Sequence, residues 1–130
     1  MKKSVLVGLV MVISILGASV ASGQVEYVDL PLGQKVVLKR QLRPGGQFFY
    51  AFTAKPGQTL TARLISANRR VVFSVDVVYN IRGPEIVSDT IVEGKRIWSG
   101  SLPDSSSDDF GVGVSSPVGR ASYTLELTLR

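Results

Sequence analysis

The sequence predicts an all-β protein: a single antiparallel β-sandwich, jelly-roll-like, that follows a cleaved signal peptide. Three observations carry this expectation. Apolar residues recur with a period of two along most of the chain beyond residue 24, as in strands with one buried face. The alternating runs are separated by turn chemistries such as "PGG", "KPGQ", "NIRGP" and "SPVG" at spacings of about 8–12 residues, as in sandwiches and barrels. No helical periodicity is sustained past the N-terminal segment. A length of 130 residues favours one domain.

The first element is the leader, "MKKSVLVGLVMVISILGASVASG". Lys2 and Lys3 form a basic start, residues 5–16 an apolar run, and small residues follow, the pattern of a secretory signal peptide. Cleavage is expected after Ser22 or Gly23, with Ala21 the alternative site, which divides the chain into a signal peptide at 1–23 and a β-sandwich domain at 24–130. Residues 5–21 fall short of the roughly 20 apolar residues of a spanning helix and include Gly8, Ser14, Gly17 and Ser19. The chain has no cysteine for a lipid anchor, and no later segment could span a membrane as a helix. The expected location is periplasmic or secreted, in a bacterium. Such compartments permit disulfides, yet this chain can make none, so its apolar core must hold the fold.

The strands follow in order. "VEYVDL" and "KVVLKRQL" are short or irregular candidates. "QFFYAFT" sets Phe48, Tyr50 and Phe52 on one face, and "TLTARLI" does the same with Leu60, Ala62 and Leu64. "VVFSVDVV" alternates Phe73, Val75 and Val77 against Ser74 and Asp76. "EIVSDTIV", "RIWSGSL" and "FGVGV" are the next candidates, and "SYTLELTLR" closes with Tyr123, Leu125, Leu127 and Leu129 inward. The predicted core is Phe48, Tyr50, Phe52, Leu60, Leu64, Phe73, Val75, Leu125 and Leu127. Trp98, on an alternating strand, is read as sheet packing, and Tyr79, at a strand end, as exposed.

Charge and chemistry exclude much. With no histidine and no cysteine, Ser-His-Asp and Cys-His catalysis and the usual zinc sites are ruled out. No phosphate-binding glycine loop opens a helix. No enzyme activity, catalytic residue, cofactor or metal is expected. Asp104, Ser106 and Asp108 have the first three spacings of a calcium loop, but Asp109 and Ser115 stand where an EF-hand needs glycine and glutamate, so the loop is read as solvated. Without Lys2 and Lys3, 13 basic residues face 10 acidic ones, a net charge of +3. The pairs Lys39 and Arg40, Arg69 and Arg70, and Lys95 and Arg96 are scattered, with no interleaved aromatics. They are read as solvated surface, and no nucleic-acid partner is expected.

The stretch from Gly46 onward resembles the exported bacterial pre-peptidase C-terminal-like β-sandwich. The residues that carry the resemblance are "FFYAFTAKPGQTLTARL", "WSGSLPDS" and "ASYTLELTLR". Periplasmic inhibitors of invertebrate-type lysozyme look like members of the same group. In them a Ser-Gly-x-Tyr element at a strand opening enters the lysozyme cleft. The equivalent stretch here is Ser107, Asp108, Asp109 and Phe110, so the resemblance implies these four as binding residues. It implies a protein partner, either lysozyme-like or an envelope protein. Asp108 in place of glycine adds a negative charge, and Phe110 in place of tyrosine removes a hydroxyl. Weak inhibition of the invertebrate-type enzyme is therefore expected, strengthened by Asp108→Gly with Phe110→Tyr. Two readings stand: an exported non-enzymatic binding module of the lysozyme-inhibitor kind with a degenerate inhibitory loop, or a structural, envelope-associated sandwich without inhibitory activity.

Overall fold

The computed structural model describes residues 12–14, 24–79, 87–116 and 118–130. Ten strands run in chain order: β1 (Val12–Ser14), β2 (Gln24–Tyr27), β3 (Val36–Leu42), β4 (Gln47–Thr53), β5 (Thr59–Ile65), β6 (Val72–Val78), β7 (Ser88–Lys95), β8 (Ile97–Ser101), β9 (Asp109–Ser115) and β10 (Ala121–Leu129). They form two five-stranded sheets, β1-β3-β10-β5-β8 (sheet A) and β2-β4-β9-β6-β7 (sheet B). From β3 onward, successive strands alternate between the sheets, except that β6 and β7 are neighbours in sheet B. This is the winding of a jelly roll. Pairing is antiparallel apart from β1 with β3 and β2 with β4.

All nine strand segments read from the sequence beyond the leader are present. The sixth differs: β7 begins at Ser88 and continues to Lys95, later than "EIVSDTIV" implies, while Glu85 and Ile86, with the "NIRGP" turn, lie outside the described residues. Of the leader, β1 lies beside residues 37–39 of β3; its remaining residues are outside those described. Among the described residues no helix is long and apolar enough to cross a membrane.

Two proline-glycine turns set the β3–β4 and β4–β5 connections. Gly46 N–H donates to the Arg43 carbonyl (2.8 Å) and Gln58 N–H to the Lys55 carbonyl (3.2 Å). Each turn has proline second and a glycine third, Gly45 with φ 74° and Gly57 with φ 87°. That is the type II pattern, whose third position requires positive φ.

Every predicted core residue is buried, and Phe52, Leu60, Val75, Leu125 and Leu127 are fully so. Each such Phe or Leu stabilises the fold by about 1.5–3 kcal/mol relative to exposure. Phe52 of β4 stacks on Phe110 of β9, with ring centroids 6.2 Å apart. Between the sheets, the hydroxyls of Tyr50 (β4) and Tyr123 (β10) hydrogen-bond to each other at 2.7 Å. Burial, the largest effect on each, pushes both phenols up. Trp98 is partly buried against the core, as its alternating strand predicts. Gly100 leaves room for it, since a Cβ there would lie 2.4 Å from the indole. Tyr79 is exposed.

The reading of the basic pairs as solvated surface is corrected at two positions. Strand alternation turns Lys39 outward and Arg40 inward, leaving the Arg40 side chain only 8% exposed and paired with Glu26 at 3.6 Å. Its guanidinium carbon lies 3.6 Å from the ring centroid of Phe48, a cation–π contact. Arg96, between β7 and β8, is the corner where the chain changes sheets. Its guanidinium donates to the carbonyls of Ser66 (3.1 Å), Asn68 (3.2 Å) and Val71 (2.9 Å). Both arginines satisfy or neutralise buried polar groups, a role that charge counting does not reveal.

Candidate functional site

β9 reads DFGVGVS. Its period of two sends Phe110, Val112 and Val114 into the core and turns Asp109, Gly111, Gly113 and Ser115 to the outer face of sheet B. On one side, β4 turns Phe49 outward, and its ring lies across the two glycines. A Cβ on Gly111 would stand 2.1 Å from Phe49 Cζ, and one on Gly113 would stand 3.2 Å from Phe49 Cδ1. On the other side, β6 sets Asp76 opposite Gly111 and Ser74 opposite Gly113. The glycines thus leave a trough in the middle of the sheet that the Phe49 ring fills. A groove of about 600 Å³ lies beside the ring, lined by Val25, Phe49, Val72, Ser74, Asp76 and Glu93 among others.

Asp76 is the unusual group of this face. It is 8% exposed. Oδ2 accepts from Ser88 Oγ at 3.4 Å, while Oδ1 is buried with no hydrogen-bond partner among the described residues. Burial pushes its carboxyl above the usual range, Ser74 and Ser88 draw it back, and Glu93 nearby pushes it further up.

The loop between β8 and β9 forms one rim of this face and is fastened at several points. Leu102, almost fully buried, exchanges backbone hydrogen bonds with the "KPGQ" turn: Leu102 N–H to the Gln58 carbonyl at 2.8 Å and Gly57 N–H to the Leu102 carbonyl at 2.9 Å. Ala54 N–H donates to the Asp108 carbonyl at 2.9 Å. Ser107 Oγ donates to the Val78 carbonyl at 2.5 Å and accepts from Asp109 N–H at 3.0 Å. Asp109 Oδ1 accepts from the Tyr27 hydroxyl at 3.0 Å, and the Thr53 hydroxyl lies beside both, 3.4 Å from Oδ1 and in contact with the Tyr27 oxygen.

The four residues implied by the resemblance therefore separate. Asp108 is exposed at the rim; Ser107 and Asp109 are half-buried and engaged in holding the loop to β6, β4 and β2. Phe110 differs from the other three: at 0% exposure and stacked on Phe52, it is a core residue of the sandwich. A tyrosine there would carry its hydroxyl into the core. Asp104, also exposed, stands apart from any group of three acidic side chains able to hold a metal among the described residues. Sequence reading missed Phe49, Asp76, Gly111 and Gly113 as one surface. The signals were an aspartate inside a valine run and glycines at alternate positions of a strand. Only pairing of β6 and β4 on either side of β9 brings them together.

A stiff all-β sandwich with a concave, glycine-floored face and a fastened polar loop is a scaffold suited to binding through its surface. Searches against protein-family models and against curated proteins return no match. Solved structures do match. A periplasmic inhibitor of g-type lysozyme from Aeromonas hydrophila, PliG, superposes with a TM-score of 0.61 at 19% identity, over 82% of this chain and 98% of that one. The PliG of Salmonella Typhimurium gives a TM-score of 0.54 at 14% identity, over 84% of this chain and 100% of that one. A pre-peptidase C-terminal domain of a Bacillus anthracis collagenase is also similar, with a TM-score of 0.48 at 12% identity over 87% of this chain and 100% of that one. At these identities the likeness to the lysozyme inhibitors is one of fold. The lysozyme inhibitors found by structure act on the g-type enzyme, whereas the sequence resemblance points to inhibitors of the invertebrate type.

Proposed function

We propose that this chain is an exported, non-enzymatic protein-binding module that works outside the cytoplasmic membrane, and that its partner is a lysozyme. The observation that carries this reading is the fastened rim. Ser107 and Asp109 hold the β8–β9 loop to the sandwich, so the exposed Asp108 is presented without a large ordering cost on binding. The fold-level likeness to periplasmic inhibitors of g-type lysozyme supports the choice of partner. The basic, apolar and small-residue pattern of the leader supports export and removal of residues 1–23. Removal would take β1 away and leave β3 at the edge of sheet A, where the outward Lys39 discourages edge-to-edge pairing.

The test is a titration of the protein into g-type and invertebrate-type lysozymes, following clearing of a cell-wall suspension, with gel filtration to detect a complex. The g-type enzyme is expected to be slowed, and Ser107→Ala, which frees the rim, to weaken the effect. No slowing and no complex with either enzyme at about 100 μM protein, where a micromolar contact is saturated, would reject the lysozyme partner. It would favour an envelope-associated structural role.

A further inference from the structure

The groove on the outer face of sheet B is distinct from the loop rim, and its chemistry is one-sided. The protein carries a net charge of +5, yet among the described residues no lysine or arginine lines this groove, while Asp76 and Glu93 do. We propose that the groove is a receptor for an arginine side chain of a protein partner, whose guanidinium lies over Phe49 and donates to Asp76.

Three features converge on that occupant. Asp76 Oδ1 is buried and lacks a donor among the described residues. Buried polar atoms in native proteins are nearly always paired, so a carboxylate oxygen without a partner among the described residues, beside an open groove, suits a donor brought by a ligand. Ser74 and Ser88 supply the acid with hydroxyl contacts, and among the described residues no cation pairs with it. Beside it, the Phe49 ring is held flat by the trough beneath: Gly111 and Gly113 leave the space the ring fills. Phe49 and Asp76 stand on β4 and β6, two strand spacings or about 10 Å apart, but the Phe49 ring reaches over Gly111 of the intervening β9 and Asp76 stands opposite that same glycine, so ring and carboxylate face one groove. An aromatic face with a carboxylate at its edge fits a planar guanidinium, which stacks and donates in one plane. A lysine ammonium uses only one of these contacts well. Glu93, exposed at the groove, adds attraction at longer range. The proposal holds whether or not the partner is a lysozyme.

The experiment is an amide-resolved NMR titration of the protein with short blocked peptides that differ only in a central arginine, lysine or citrulline. The arginine peptide is expected to shift Ser74, Asp76 and Gly113 saturably. The citrulline peptide, neutral and nearly isosteric, is expected to bind at least about tenfold more weakly, since loss of one partner of a desolvated charge pair costs that much or more. Asp76→Asn, with its fold checked from the same spectra, should lose about tenfold for arginine and nothing for citrulline. Glu93→Gln, an exposed change that leaves the core intact, should lose about two- to threefold. The proposal is overturned by equal binding of the arginine and citrulline peptides, or by an Asp76→Asn variant that binds arginine as well as the parent. The absence of saturable shifts at roughly 10 mM arginine peptide overturns it too.

Discussion

The hydrogen bond between Tyr50 and Tyr123 joins the two sheets beside the Arg40–Glu26 pair, and its removal makes an asymmetric prediction. The oxygens are 2.7 Å apart, one from each sheet, and both residues are buried. Tyr50→Phe leaves the Tyr123 hydroxyl without its partner, and an unsatisfied buried polar group costs about 1–3 kcal/mol. It also removes the phenol beside Arg40, whose Nε is already buried without a partner among the described residues. Tyr123→Phe strands only Tyr50, which keeps the Arg40 charge close by. The expected order is therefore Tyr50→Phe costlier than Tyr123→Phe. The double variant removes both polar groups and preserves the ring packing, so it should cost less than the sum of the two, with a coupling of about 0.5–3 kcal/mol. For a domain of this size each kcal/mol moves the thermal midpoint by about 4–8 °C, well within measurement. Urea unfolding of the four proteins, with matching slopes, supplies the cycle. Additive single losses would mean that the hydroxyls are independently solvated and that the two sheets are not coupled through this bond.

Four further outcomes are expected. Asp76→Asn should stabilise the protein by about 1–3 kcal/mol at neutral pH, because it replaces a buried, incompletely paired carboxylate. The folded Asp76 pKa is raised above 3.8, so its destabilising charge is fully present above the folded pKa. The charge is lost as pH falls, and the advantage of the variant should shrink toward zero as pH approaches 3.8 in parallel urea titrations. Arg96→Ala should cost about 2–3 kcal/mol by leaving three carbonyls without a charged donor, measured by thermal unfolding; an unchanged midpoint would place Arg96 in solvent. Phe110→Tyr should destabilise by about 1–3 kcal/mol and leave lysozyme inhibition no stronger, because the added hydroxyl enters the core; increased inhibition would contradict its burial. Mass spectrometry of the exported protein should give an N-terminus at Ser22, Gly23 or Gln24, and an intact Met1 would refute cleavage of the leader.

The sandwich was legible because each strand carries its own evidence. A period of two in "QFFYAFT" or "SYTLELTLR" states which face is buried without reference to any other strand, and Pro-Gly pairs mark where the chain reverses. Burial of Phe48, Tyr50, Phe52, Leu125 and Leu127 follows from that local pattern. Pairing does not. Nothing in "VVFSVDVV" or "FGVGV" says that β6 lies beside β9, with Asp76 opposite Gly111, because registry is settled by how all ten strands close around one core. The outer-face groove is therefore a tertiary property: Phe49, Asp76 and the two glycines come from three strands and mean little apart. The same reason explains the two arginines. Alternation could turn Arg40 inward, but only the packing of Glu26 and Phe48 around it makes that position tolerable for a charge, and only the change of sheet at residue 96 brings three carbonyls within reach of one guanidinium. Phe110 marks the boundary between the two kinds of knowledge. The resemblance of residues 107–110 to a binding element marked the loop. Strand alternation, carried one residue further into β9, sends that side chain into the core, because a sheet built with period two cannot offer both Asp109 and Phe110 to the same side.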